Sequence, residues 1–91
     1  MKFGLDIGIY GPLATPENLV PLAQLADESG FDSIWLADHV VFPVEVNSRY
    51  PYNPTGKFPV PGSDPVLEPI ATMGVMVGAT SRVRIGTAVL V

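Results

Sequence analysis

Cysteine is absent from all 91 residues, which excludes a disulfide framework, a thiolate metal site and a cysteine nucleophile. A single histidine with no cysteine to join it cannot build a conventional zinc site, so no metal is expected. A cysteine-free chain suits the reducing cytoplasm, and cytoplasmic is the expected localisation. Charge is scarce as well. Asp, Glu, Lys and Arg make up 15% of the chain, against about 25% in an average soluble domain, so much of the surface is expected to meet protein rather than water. Five basic residues against nine acidic ones leave a net charge of −4, which argues against nucleic acid or an anionic membrane as partner. No apolar run approaches the roughly 18 residues of a membrane span, and Asp6 interrupts what would have to be a signal-peptide core. The expectation is a protein neither exported by that route nor membrane-spanning. Internal repeats, a phosphate-binding P-loop and the GxGxxG fingerprint are also missing.

What is present is a globular chain rich in turns: 47% hydrophobic residues beside 9 glycines and 10 prolines. Phe3, Leu5, Ile7 and Ile9 alternate with Gly4, Asp6, Gly8 and Tyr10, the period of two that sends side chains to opposite faces of a strand. Gly11-Pro12 ends it. Thr15-Pro16-Glu17 reads as N-cap, first helical residue and first-turn acid, with Leu19, Leu22, Ala23 and Ala26 at helical spacing and Gly30 just beyond the end. Ser33-Ile34-Trp35-Leu36-Ala37 is short and nearly continuous in apolar character, as expected of a parallel strand buried on both faces, with Trp35 in the core rather than serving as a stacking platform.

From about residue 40 to 66 the periodicity disappears, and prolines stand at 43, 51, 54, 59, 61 and 65. Loops longer than about 12–15 residues within a compact domain are usually functional or disordered. This one carries Phe42, Tyr50, Tyr52 and Phe58, so a packed lid is the favoured reading over a proline-rich linker; Pro51-Tyr52-Asn53-Pro54 is a weak PxxP match. Ile70 to Thr80 then predicts a helix starting near Pro69 that is apolar almost all round, one side of which must meet a second partner. Gly74 and Gly78, four apart, permit close approach of another helix, in the same subunit or in another. Val83, Ile85 and Thr87 to Val91 predict a third strand, with Arg82 and Arg84 projecting to the other side at its start.

Strand, helix, strand, long loop, helix, strand implies an α/β fold of parallel strands joined by right-handed crossovers, compatible with a flavodoxin-like sheet or a TIM barrel. Three segments decide between these: Gly30-Phe31-Asp32-Ser33-Ile34-Trp35-Leu36-Ala37-Asp38-His39-Val40-Val41, then Ser48-Arg49-Tyr50-Pro51-Tyr52 with Gly56, then Arg82 through Leu90. Together they resemble the luciferase-like monooxygenase superfamily, in particular its branch of coenzyme F420-dependent oxidoreductases, and the resemblance runs from Lys2 to Val91. It implies the N-terminal portion, about three β/α units, of a TIM (β/α)8 barrel, a fold that takes about 250 residues. Residues 1–91 are thus expected to be one partial barrel domain with its proline- and aromatic-rich loop at 40–66.

The resemblance also implies a site. Asp38-His39 lies just past the second strand, at the barrel end that carries chemistry. In the family the aligned histidine lies beside the deazaflavin ring, where an imidazole can accept or donate the proton that accompanies hydride transfer; the plainer reading is a residue capping the strand. Asp38 would orient that imidazole or bind the cofactor tail. Thr87-Ala88-Val89 aligns with a family bulge that often holds a non-prolyl cis peptide and backs the cofactor ring; the plainer reading is an ordinary buried strand. Arg49 and Lys57, with Tyr50 and Tyr52, are the candidate lid or substrate residues, the two cations for phosphate or carboxylate groups unless simply solvated. The implied function is hydride transfer between coenzyme F420 and a small organic substrate, with an FMN-dependent monooxygenase as the alternative. Relatives dimerise through helices of this region, so a homo-oligomer through the helix at about 69–80 is expected. A reading of another class is a truncated, non-catalytic fragment that survives by self-association.

Overall fold

The computed structural model describes residues 1–41, 43–60 and 64–91, so Phe42 and Pro61 of the expected loop lie outside the described residues. Five elements follow one another: β1 (Gly4–Asp6), α1 (Pro16–Glu28), β2 (Ser33–Leu36), α2 (Pro69–Ala79) and β3 (Arg84–Thr87). The strands form one parallel sheet in the order β1-β2-β3, with Leu5, Ile34 and Ile85 in one cross-strand row and Asp6, Trp35 and Gly86 in the next.

Helix α1 begins where Pro16 loses nothing by lacking an amide hydrogen. Thr15 occupies the N-cap position with extended backbone, but its side chain makes no capping bond. The helix ends at Ser29, and Gly30 follows with φ +86°, the left-handed conformation that glycine adopts without a Cβ clash. Helix α2 is capped by Glu68, a residue the sequence pattern did not single out: its two carboxylate oxygens accept the backbone N–H groups of Ile70 (3.1 Å) and Ala71 (2.6 Å). Both helices pack on the same face of the sheet. There Leu19, Ala23 and Ala26 of α1 and Met76 of α2 meet Ile7, Ile9, Ile34, Leu36 and Val83 in a single apolar core.

Two expectations are corrected. Strand β2 is not buried throughout: on the face away from the helices Ser33 is buried beneath the indole but Trp35 itself is 41% exposed, because among the described residues no helix or strand covers the sheet there. The third strand ends at Thr87 instead of continuing to Val91. Beyond it the Ala88–Val89 peptide is cis, and the chain turns toward the end of β2, with the Ala88 N–H donating to the Leu36 carbonyl at 2.8 Å.

Trp35 lies over glycines on both neighbouring strands. A Cβ on Gly4 would stand 2.8 Å from its Nε1, and one on Gly86 2.8 Å from its Cζ3. The indole N–H donates to the Ser33 hydroxyl at 2.9 Å. At the N-terminal end of the strands, Asp27 near the end of α1 accepts backbone N–H groups from Val83 (2.8 Å), Ser81 (2.9 Å) and Arg82 (3.1 Å). These bonds, Ser81 and Val83 foremost, hold its carboxyl below the ordinary 3.8 against the opposing effect of desolvation. Arg84 pairs with Asp32 and, through that hydrogen bond first, lowers the Asp32 carboxyl likewise. In the wall of the cavity of about 330 Å³ at this end, Asp27, Asp32, Arg82 and Arg84 therefore already have partners.

Candidate functional site

At the opposite end of the sheet the chain leaves β2 through Ala37, Asp38 and His39. Asp38 Oδ2 accepts the Val91 N–H at 2.9 Å, which ties the segment after β3 to the segment after β2. The approach to α2 is pinned similarly, the Leu67 N–H donating to the Ile9 carbonyl at 2.9 Å. Two connections, the one after β1 and both ends of the one between β2 and α2, thus converge with the segment after β3 around one opening.

That opening is a cavity of about 590 Å³ walled by Asp38, His39, Leu67, Glu68, Leu90 and Val91, among others. Its character is mixed: Val66, Leu67, Leu90 and Val91 give apolar surface, while Asp38, Asp64 and Glu68 give carboxylates. Glu68 spends both oxygens on α2. Among the described residues no cluster of His, Asp and Glu has the arrangement to hold a metal ion.

His39 also belongs to an aromatic cluster built from the long loop. Its ring lies 5.9 Å from Phe58 and 6.2 Å, edge to face, from Tyr10; Phe58 in turn meets Tyr50 at 5.1 Å with the planes at 89°. Such offset and edge-on contacts suit the charge distribution of aromatic rings. The described part of the 40–66 loop therefore folds back over the end of β2, although it contains no helix or strand. Residues 51–56 are a series of turns instead of the extended left-handed helix that a PxxP ligand requires: Asn53 Oδ1 accepts the Thr55 N–H and the Tyr50 N–H donates to the Gly56 carbonyl.

The expected site residues separate into groups. Asp38 and His39 share the 590 Å³ cavity, and Arg49 and Tyr50 line a second cavity of about 350 Å³ that His39 also borders. Tyr52 meets Tyr50 edge-on at 5.6 Å but is 85% exposed. Lys57 is tied into the loop by its backbone, whose carbonyl accepts the Asn53 amide, and its side chain is exposed. Thr87 ends β3 in register with Leu36, and it is the following Leu90 and Val91, more than Thr87, Ala88 or Val89, that form the cavity wall. Tyr10 and Glu68 were not singled out from sequence. Tyr10 had one available signal, its place at the C-terminal end of the first strand run, level with Asp38-His39 in a parallel sheet.

In comparison with known proteins, the family model described as luciferase-like monooxygenase matches residues 2–91. Uncharacterized proteins of Mycobacterium bovis and Mycobacterium tuberculosis are each 31% identical to the chain over 71 residues, 78% of this chain and 25% of theirs. The chain thus spans about a quarter of the length of the curated relatives it matches. No solved structure matches it.

Proposed function

Because the chain belongs to the luciferase-like monooxygenase family, a family of oxidoreductases that use flavin or deazaflavin cofactors, we propose that it supplies the first three strands of a (β/α)8 barrel working with coenzyme F420. In that barrel hydride passes between the deazaflavin and an organic substrate. The single observation that carries this reading is the position of His39, which follows β2 and borders both cavities at the end of the sheet where parallel-barrel enzymes keep their chemistry.

The residues present fit the ring portion of such a cofactor. A cavity of about 590 Å³ falls inside the range of roughly 300–1,000 Å³ usual for small-molecule sites, and its apolar walls suit a flat heterocycle. Asp38, Asp64 and Glu68 do not suit a phosphate-bearing tail, whose charge they would repel, so the tail would be held by residues beyond this cavity. When bound, the cofactor supplies hydride acceptance or donation. Asp38 contributes by fixing Val91, and with it the wall against which the ring would lie. His39 is held by Tyr10 and Phe58 and presents an imidazole that can hold or release a proton at the cavity surface.

Titration of the complete polypeptide with coenzyme F420 and, separately, with FMN, followed by cofactor fluorescence, tests the reading. Stoichiometric F420 binding is expected. Tight FMN binding with no F420 affinity overturns the deazaflavin assignment in favour of an FMN-dependent monooxygenase.

One observation favours a second reading, self-association of the 91-residue chain. Ile70, Val75 and Val77 of α2 are 55%, 45% and 61% exposed, and a Cβ on Gly74 or Gly78 would meet open space. Close packing of those glycines within the chain is thus not what the structure has. Light scattering from the isolated chain at micromolar concentration tests this, and a stable folded monomer overturns it.

A further inference from the structure

His39 borders two cavities that differ in charge. The one it shares with Asp38 carries three carboxylates, those of Asp38, Asp64 and Glu68. The other is a solvent-open, mainly apolar cavity lined by Val46, Tyr50, Phe58 and Val60 among others, and among the described residues lining it the one with a permanent charge is Arg49. Because both cavities reach His39, a redox group in the first and a substrate in the second would have to meet beside the imidazole, in the direct contact that hydride transfer needs.

Arg49 is held in place by the loop itself. Gly56 adopts φ +73° and packs so closely on the arginine stem that a Cβ there would stand 2.8 Å from Arg49 Cγ. The turn is closed by the Tyr50 N–H donating to the Gly56 carbonyl at 2.7 Å and the Gly56 N–H donating to the Asn53 carbonyl at 2.8 Å. Tyr50, the next residue, is braced edge-on against Phe58. Among the described residues Arg49 has no ion-pair partner, in contrast to Arg84.

Resting on the redox reading above, we propose that the second cavity is the substrate compartment and that its substrate is an apolar organic molecule carrying one carboxylate. The acid group pairs with Arg49 and the apolar body lies against Tyr50 and Phe58 beside His39. A planar guanidinium matches a carboxylate in a two-bond fork, while a doubly charged phosphate in so apolar a compartment needs more donors than one arginine. The carboxylates of the neighbouring cavity repel the same acid group, so the substrate has one favoured direction, acid toward Arg49 and apolar end toward His39.

The test compares two probes of equal shape, 4-phenylbutyrate and its neutral amide 4-phenylbutanamide, by titration calorimetry on the complete polypeptide, its Arg49→Gln variant and its Lys57→Gln variant. The carboxylate is expected to bind about tenfold tighter than the amide, as one charge-assisted hydrogen-bonded pair at a partly solvated site provides. Arg49→Gln removes that preference and leaves amide affinity in place. Lys57→Gln, in the same loop but off the cavity, keeps the preference. Binding of neither probe, equal binding of both, a preference that survives Arg49→Gln, or one lost equally in Lys57→Gln overturns the proposal. Titrating the same preparations with coenzyme F420 separates the two readings. An Arg49-dependent preference without cofactor binding removes the redox reading alone, and cofactor binding without a preference removes the substrate assignment alone. Loss of cofactor affinity in Arg49→Gln reassigns Arg49 to the cofactor and overturns the proposal.

Discussion

Gly86→Ala places one methyl group where the Trp35 ring already is. The new Cβ would stand 2.8 Å from Cζ3, 3.1 Å from Cε3 and 3.4 Å from Cη2, whereas carbon atoms rest at about 3.5–4.0 Å, so the indole must retreat by roughly 0.7–1 Å. Being 41% exposed, the ring has somewhere to go. Retreat toward solvent pulls Nε1 off the Ser33 hydroxyl, now at 2.9 Å, a bond worth about 0.5–1.5 kcal/mol. Overpacking of this size costs about 1–3 kcal/mol, and replacing a strand glycine returns about 0.5–1 kcal/mol of backbone entropy. The net effect is a destabilisation of about 1–3 kcal/mol, which for a domain of this length lowers Tm by roughly 5–20 °C. Trp35 is the sole tryptophan of the chain, so its emission reports this one site, and a red shift should accompany the fall in Tm measured by circular dichroism. The decisive measurement is the double-mutant cycle with Trp35→Phe, whose smaller ring leaves room for the methyl group. A coupling of about 1 kcal/mol or more is expected for atoms in direct conflict. An unchanged Tm and emission in Gly86→Ala, or zero coupling in the cycle, would refute the steric argument.

Met76→Ala empties the centre of the core, where Met76 is fully buried, and should cost about 2–5 kcal/mol in chemical denaturation; a loss below 1 kcal/mol would mean that α2 is not docked as described. Asp27→Asn leaves N–H groups of Ser81, Arg82 and Val83 facing an amide that can accept but also donates, and Tm should fall measurably by calorimetry. Because the folded carboxyls of Asp27 and Asp32 are both held below the ordinary 3.8, the stability they contribute is complete above that value and is lost as pH falls through the lower folded values. The chain should therefore weaken in acid below about pH 4, and Asp27→Asn should flatten that part of the pH–stability curve; a curve with unchanged slope argues against the role of the Asp27 carboxylate in holding residues 81–83. Pro21 interrupts α1 internally, so Pro21→Ala should raise Tm by restoring the bond to the Glu17 carbonyl, a gain of up to about 2 kcal/mol after the loss of proline's unfolded-state restriction. On the proposed redox reading, His39→Ala in the complete polypeptide should lower the single-turnover rate by about 10²–10⁴-fold while cofactor affinity changes far less; a well-folded variant within a few-fold of wild type removes the proposed catalytic role.

Part of the candidate site was legible because local pattern determines it. A parallel strand that ends at Leu36 puts Asp38 and His39 at its C-terminal end whatever the rest of the chain does. The contributions of Phe58 and Val91 were not legible, since each reaches the site through contacts with residues distant in sequence, and Tyr10 left only its place at the end of the first strand run as a signal. His39 and Tyr10 lie on different connections and meet only once β1 and β2 have paired in register. Lys57 and Arg49 read alike in sequence, two cations in one aromatic loop. Both residues are exposed, but the turn closed by Gly56 packs on the Arg49 stem and places Arg49 on a cavity wall that Lys57 does not line.

The amino-acid order alone determined the succession of elements and the sense of the sheet. Period-two and helical spacings, Pro16 and Pro69 at helix starts and Gly30 after a helix end are constraints between neighbours, and they act before any tertiary contact forms. Tertiary structure alone decided two further things: that Trp35 stands half exposed over Gly4 and Gly86, and that Asp27 anchors the turn before β3. Each depends on what surface is left over after packing. The helices cover one face of the sheet, the Asp38 carboxylate takes the Val91 N–H away from any ladder, and the backbone donors at residues 81–83 find their acceptor 54 to 56 residues away. Hydrogen-bond partners at such separations are chosen by geometry in the folded chain, which no local pattern encodes.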